Sequence, residues 1–273
     1  MKALILAGGQ SKRMGRNKAL IERPDGSRQV DHIAGLARGV CDTVLLSIGE
    51  CESGGVPLPW PRIPDLHPGE GPLAALEAAA AACGGPLLVI GCDLFLLDAP
   101  TLACLMANRD PTRAATCYRN RIDGRPEPLC AIYEEPALAK AAAALMNGNR
   151  NARDFLESLD PHIIDLPHPA ALDGANSPTE LAECFAKLRC GVTAKSLGLH
   201  YFGGIREVRG VGFEAVESLA CTVAGLYEEL RFRHRLRFVE GELRVEIHGK
   251  TASWETLLHH GDEVAFFLPG NPP

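Results

Sequence analysis

Residues 6–18 read LAGGQSKRMGRNK. Gly8 and Gly9 follow the apolar run KALILA, and Lys12, Arg13, Arg16 and Lys18 follow closely behind. Glycine lets a backbone turn sharply and approach a ligand, and successive N–H groups in such a turn can ring an anion. Arginine clasps phosphate oxygens through two parallel hydrogen bonds, and lysine adds a point charge. The stretch is therefore read as a phosphate trap. It fits neither common pattern. Gly9 and Gly15 stand one residue too far apart for a Walker loop, and Arg16 rather than lysine follows Gly15; the Gly-x-Gly of a dinucleotide fingerprint is missing. A glycine turn ahead of a solvated basic stretch is the plainer alternative. Ser11, Arg13, Gly15 and Lys18 together weigh against it.

Two further stretches carry acids that could serve such a trap. VIGCD ends an apolar strand in Asp93. A carboxylate at the end of a parallel strand suits Mg²⁺, with nucleotide phosphates filling other positions of the metal; the plainer role is a turn cap. PDLHPGEGPLAAL places Asp65 and Glu70 on a turn that opens into a helix at Gly71-Pro72. A helix N-terminus favours anions, and an acid on the approach could read the amino groups of a base. By themselves Asp65 and Glu70 read as solvated turn residues.

The elements around these residues alternate. KALILA, TVLLSI and PLLVIGCD are apolar runs of the kind buried on both faces of a parallel sheet, with RAATCY, PLCAIY and HIIDL as further strands. VDHIAGLARGV puts Val30, Ile33, Leu36 and Val40 on one helical face; PLAALEAAAAAC, APTLACLMAN, PALAKAAAALM and ARDFLESL are further helices. SPTELAECFAKL starts with a Ser177 cap, Pro178 at the first helical position and Glu180 to complete a capping box. This predicts a three-layer α/β domain with a mostly parallel sheet, whose ligands bind beyond the carboxyl ends of the strands. The style changes near residues 189–196, so the expected domains are 1–190 and 195–273. The second part reads as strands LHYFG, GFEAVE, LRFVE, LRVEIHG and DEVAFFL around one helix, TVAGLYEEL, a small α+β domain.

Composition narrows the partners. Across 273 residues, 46% are hydrophobic and 23% charged, and the net charge is −6. Those values suit a globular protein of two domains and argue against a nonspecific nucleic-acid binder. No run approaches a membrane span of about 18 apolar residues. The start MKALILAGG is too short in its apolar part for a signal peptide, so a cytoplasmic protein is expected. None of the ten cysteines sits in a C-x-x-C pair, and most lie in apolar runs; they read as reduced core residues.

LAGGQSKRMGRNKAL, PDLHPGEGPLAAL, GCDLFLL and GANSPTELAE occur in this order over residues 2–190. Together they closely resemble the molybdenum cofactor guanylyltransferases, which have the nucleotidyltransferase fold, a Rossmann-like three-layer α/β architecture. The resemblance implies transfer of GMP from GTP to the terminal phosphate of molybdopterin, with Mg²⁺ as cofactor and pyrophosphate as second product. By the resemblance Leu6, Ala7, Gly8, Gly9, Lys18 and Asp65 contact GTP, Asp93 binds nucleotide and Mg²⁺, and Arg13, Lys18 and Asp93 are the catalytic set. Asn176 falls at the pterin side. By the resemblance, Ser47 stands at a position of the family's asparagine. Asn17 replaces an aspartate common before the lysine, and Phe95 a proline common after the metal aspartate. A sister family uses CTP and reads Leu-Ala-Ala-Gly at the loop, so Gly8 points to GTP. The resemblance implies in-line attack of the pterin phosphate on the α-phosphorus. Charge stabilisation and alignment are then the main demands. A phosphate nucleophile is already ionised, so His32 and His67 receive no catalytic role.

LHYFGGIRE, TVAGLYEEL, LRVEIHGK and GDEVAFFLPG, within about 195–270, resemble the ubiquitin-like (β-grasp) sulfur-carrier subunit of molybdopterin synthase. That family ends in Gly-Gly, where this sequence reads LPGNPP, so a docking role toward enzymes of the same pathway is expected ahead of sulfur carriage. Cytidylyl transfer to the same cofactor, nucleotidyl transfer to a sugar phosphate, and a non-catalytic protein with a scaffold domain remain the alternatives.

Overall fold

The structure is a computed structural model that describes residues 1–8, 14–48, 59–64, 67 and 70–268. Gly9, Ser11, Lys12, Arg13, Asp65 and the final LPGNPP beyond Leu268 therefore lie outside the described residues. The chain divides into two compact units, Met1–Asn176 and Ser177–Pro273.

In the first unit seven strands form one sheet: β1 (Lys2–Leu6), β2 (Thr43–Ile48), β3 (Arg62–Pro64), β4 (Leu87–Gly91), β5 (Ala115–Arg119), β6 (Pro126–Tyr133) and β7 (His162–Ile164). Their spatial order is β3-β2-β1-β4-β6-β5-β7. β1, β2, β3 and β4 run parallel, β6 is antiparallel to both β4 and β5, and β7 is parallel to β5. Helices α1 (Gln29–Arg38), α2 (Pro72–Cys83), α3 (Ala99–Ala107), α4 (Glu135–Met146) and α5 (Ala152–Ser158) supply the outer layers. The reason is visible in β1: Ala3 and Ile5 join Val30, Ile33 and Leu102 in one core, while Leu4 joins Leu73, Leu76 and Phe155 in another. A strand apolar on both faces must be covered on both, which produces three layers and the expected mostly parallel α/β sheet. The short strand β3 was absent from the sequence reading; with three residues it gives no usable alternation.

In the second unit α6 (Pro178–Cys190) precedes β8 (Lys195–Tyr201), α7 (Gly204–Arg209), β9 (Phe213–Ser218), α8 (Val223–His234), β10 (Arg244–Ile247), β11 (Lys250–Ala252) and β12 (Glu263–Phe267). The strand order is β11-β10-β12-β8-β9, and β8 and β12 form a central parallel pair. This is the ubiquitin-like arrangement, with Leu199, Val264 and Phe266 of the sheet packed with Leu226, Tyr227 and Leu230 of α8. One expectation fails here. LRFVE is not a strand: α8 ends at Arg235 in the left-handed region, and residues 240–242 form a 3-10 turn instead. The strands after α8 are β10, β11 and β12, and the first two are joined through the positive-φ residues His248 and Gly249.

The contact division falls one helix earlier than the change of style in the sequence. Helix α6 starts as expected, with Ser177 Oγ accepting from Glu180 N at 3.2 Å. Its buried Glu183 then accepts hydrogen bonds from Cys221 N and Thr222 N, both at 2.8 Å, and from Thr222 Oγ at 2.7 Å. Those N–H groups belong to the approach to α8, so a carboxylate on α6 meets N–H groups at the start of α8. Lys187, also buried, pairs with Glu183 at 3.0 Å. Gly225 leaves the room this needs, because a Cβ there would collide with the Glu183 carboxylate.

Candidate active site

The edge of the sheet sets the first positions. In register, Leu6 at the end of β1 lies opposite Ser47 on β2 and Gly91 on β4. Beyond Leu6 the chain does not leave at once: Ala7 N and Gly8 N both donate to Ser47 O at 3.0 Å. Ser47 thus serves through its carbonyl, and its side chain is buried. On the other side Cys92 N donates to Leu6 O at 3.3 Å, so the chain emerging from β4 stays beside β1 for one residue more. Asp93 follows directly. A Cβ on Gly91 would run into Asp93 Oδ1 and come within 3.2 Å of Leu129 Cβ. The missing side chain at 91 is therefore the cradle of the carboxylate.

Lys18 reaches the same place. Asn17 accepts from Ala19 N at 3.0 Å and caps the 3-10 turn Lys18–Leu20, which aims the lysine. Lys18 Nζ donates to Asn176 Oδ1 at 2.6 Å and stands 3.8 Å from Asp93 Oδ2. The side chains of Lys18 and Asp93 are only 17% and 23% exposed. Burial pushes the Asp93 carboxyl above the usual carboxylate range, and the nearby ammonium offsets part of that rise. At an effective dielectric of about 20, closing this pair to about 2.8 Å would gain roughly 1.5 kcal/mol. A hydrogen bond to a charged group contributes about 1.5–3 kcal/mol. The Asn176 bond and the pull of Asp93 are therefore of similar size.

The turn that carries Asp93 is held from two sides. Ala175 N donates to Asp93 O at 3.0 Å, and Gly174 lies so close that a Cβ there would sit 2.7 Å from the same oxygen. Asp173, one residue earlier, is gripped by Arg121 from the loop between β5 and β6, with Nε and Nη2 at 3.2 and 2.9 Å from its two oxygens. From the opposite side the buried Arg23 donates through Nη1 to Phe95 O at 2.9 Å and to Gln29 Oε1 at 2.6 Å. Gln29, wholly buried, donates through Nε2 to Leu94 O at 3.2 Å. Neither Arg23, Gln29, Arg121 nor Asp173 was singled out from the sequence. The available signal was an arginine and a glutamine among the core positions Ile21, Val30 and Ile33, where polar groups need a partner.

Of the residues expected at the site, Leu6, Ala7, Gly8, Lys18 and Asp93 occupy the carboxyl edge of β1 and β4, and Asn176 is brought onto Lys18. Gly9, Arg13 and Asp65 lie outside the described residues. His32 Nε2 lies 3.3 Å from Leu97 O, and His67 pairs with Glu77 at 3.3 Å. Among the described residues no three His, Cys, Asp or Glu side chains converge as a metal cage. The nine described cysteines are free. No helix among the described residues is long and apolar enough to cross a membrane.

Comparison with known proteins gives a consistent picture. The MobA-like NTP transferase domain profile matches residues 3–163, and that of the ThiS family matches residues 199–270. A molybdenum cofactor biosynthesis bifunctional protein of Synechocystis is 31% identical over 66% of this chain and 52% of its own length. The chain thus spans about half of that relative. A relative from Nostoc, named a probable molybdenum cofactor guanylyltransferase, is 30% identical over 67% of this chain and 89% of its own. Among solved structures, molybdopterin-guanine dinucleotide biosynthesis protein A of Archaeoglobus fulgidus superposes with a TM-score of 0.58 at 21% identity. It covers 70% of this chain and 100% of its own, and shares the fold.

Proposed function

Since this chain belongs to the MobA-like NTP transferase family, we propose that it transfers GMP from GTP to the molybdenum-loaded pterin cofactor, releasing pyrophosphate. The observation that carries the reading is the convergence of Lys18 and Asp93 at the carboxyl edge of β1 and β4, 3.8 Å apart. A cation for phosphate and a carboxylate for a divalent ion are the two charges a nucleotidyl transfer demands. Relatives named probable molybdenum cofactor guanylyltransferases support the choice of substrate.

In this reading Leu6, Ala7, Gly8 and Gly9 contact the nucleotide, and Lys18 and Arg13 meet the charge of its triphosphate. Asp65 contributes to nucleotide binding. The acceptor phosphate attacks the α-phosphorus in line, and the bond to pyrophosphate breaks opposite. Already an anion, that phosphate needs no general base. Asp93 fits Mg²⁺: it is a single carboxylate in a cradle that Gly91 keeps open, and Mg²⁺ is commonly held by one or two carboxylates plus substrate phosphates. When bound, the ion would supply charge neutralisation at the phosphates. The ThiS-like unit is read as a docking module for enzymes of the same pathway, in a cytoplasmic protein.

The test is product analysis after incubation with GTP, Mg²⁺ and molybdate-loaded molybdopterin, with CTP and UTP in parallel. The expected product is the guanine dinucleotide form. Asp93→Asn is expected to abolish Mg²⁺-dependent transfer while the thermal midpoint holds. Undiminished turnover in Asp93→Asn sinks the assignment of that residue. Transfer from CTP alone sinks the choice of base.

A further inference from the structure

We propose that Asn176 is a positioning residue for the phosphate-binding lysine: it holds the Lys18 ammonium away from Asp93, so that both charges stay available to ligands. The inference rests on the guanylyl-transfer reading and assigns Asn176 a task on the nucleotide side of the cleft.

Three observations carry it. First, Lys18 makes its short contact, 2.6 Å, to the neutral Asn176 and the longer one, 3.8 Å, to the carboxylate. An ammonium and a carboxylate this close would ordinarily collapse into a contact pair, and burial strengthens that tendency. Closed, the pair would spend the lysine on the protein's own acid and cover the oxygen that a divalent ion needs. Second, Asn176 is not left to wander. Ala175 N is bonded to Asp93 O at 3.0 Å, and Gly174 is pressed against that oxygen. The amide that restrains Lys18 is therefore measured off from the backbone of the acid it must be kept from. Third, the same segment is pinned at Asp173 by Arg121 through Nε and Nη2. That paired grip fixes orientation as well as distance. Arg121 thus acts on the site through Asp173 and Asn176, and no contact of its own with nucleotide is required.

The test compares the unaltered full chain with Asn176→Ala and Arg121→Ala. GTP binding is measured by calorimetry with and without Mg²⁺, and turnover is followed against Mg²⁺ and against molybdopterin. Closing the pair by the distance worked above corresponds to about tenfold in affinity. Asn176→Ala is expected to weaken Mg²⁺–GTP binding about tenfold and to raise the half-saturating Mg²⁺ concentration, with the thermal midpoint and the KM for molybdopterin unchanged. Arg121→Ala is expected to move the Mg²⁺ dependence in the same direction by a smaller factor. The opposite pattern for Asn176→Ala, a raised molybdopterin KM with nucleotide binding and Mg²⁺ dependence unmoved, would make Asn176 an acceptor ligand and overturn the proposal. An unshifted Mg²⁺ dependence in Arg121→Ala overturns the part assigned to Arg121. Should Asn176→Ala unfold, the shift in Arg121→Ala decides alone. Failure of the unaltered chain to bind GTP at all removes the guanylyl-transfer reading itself, and this proposal with it.

Discussion

The Arg23–Gln29 pair offers the sharpest energetic test of how the Asp93 turn is built. Arg23 is 6% exposed and Gln29 0%, and together they satisfy the carbonyls of Leu94 and Phe95. Gln29→Leu keeps the volume and removes two bonds, one to the guanidinium and one to Leu94 O. A charged bond contributes about 1.5–3 kcal/mol and a neutral one about 0.5–1.5 kcal/mol, so the loss is about 2–4 kcal/mol. Arg23→Met removes two bonds from the guanidinium, to Gln29 Oε1 and to Phe95 O, for a loss of about 3–6 kcal/mol. The bond from Arg23 Nη1 to Gln29 Oε1 is common to both single variants. Removing both partners eliminates it once, and no orphaned guanidinium or amide oxygen is left facing its lost partner. The double variant should therefore cost less than the sum of the singles by about 1.5–3 kcal/mol. Guanidinium denaturation of the full chain supplies the free energies. Amide exchange across residues 87–97 assigns the change to the first unit. Additivity within about 0.5 kcal/mol, the usual result for independent sites, refutes the account, as does a single variant that matches the wild type. A loosened turn also moves Asp93, so a fall in kcat should accompany the loss of protection at 94–95.

Two other outcomes are expected. Glu183→Ala removes the buried carboxylate that pairs with Lys187 and accepts from Cys221 N and Thr222 N, so the second unit should lose about 3–5 kcal/mol, read as earlier exchange of the amides of 221–225; protection equal to wild type there would refute the role of Glu183 at the start of α8. His32 is held below the usual imidazole pKa by burial first and then by Arg23, so the folded state binds fewer protons than the unfolded one. Its contribution to stability is complete above about pH 6.5 and declines as the pH falls toward the native value. His32→Gln should flatten the slope of thermal midpoint against pH in that window, and an unchanged slope would refute it.

What the sequence revealed and what it hid divide along physical lines. Apolar runs such as those of β1 and β4 announce themselves, because burial on both faces removes every polar residue from the strand. Gly91 and Asp93 were legible as the end of such a run. That Gly91 is a cradle for Asp93 was not, since it depends on where a carboxylate folds back in space. Asn176 lies 158 residues from Lys18, and no local spacing connects them. Arg121 and Asp173 are separated by 52 residues and look like ordinary surface charges. LRFVE reads as a strand, yet residues 236–239 carry no regular structure and lie between a left-handed cap at Arg235, where α8 ends, and a 3-10 turn over 240–242. Periodicity speaks of one segment's faces; it is silent on which segment arrives first at the sheet edge.

The placement of α6 bears on how the two halves were joined. The stretch GANSPTELAE reads as one motif, but the contact division runs through it, between Asn176 and Ser177. Asn176 answers to Lys18, while Glu183 six positions beyond Ser177 answers to Cys221 and Thr222. The helix cannot drift from the second unit without uncovering a buried ion pair and freeing the N–H groups ahead of α8, and both are costly in a low-dielectric interior. The residue that restrains the lysine is thus one peptide bond from a helix held by other means. A cut at the change of sequence style, after residue 190, would strand Glu183 and Lys187 on the wrong fragment. A cut at residue 177 keeps them with α8, whose approach Glu183 meets. The boundary that matters for stability is therefore set by one buried carboxylate, and composition alone has no way to mark it.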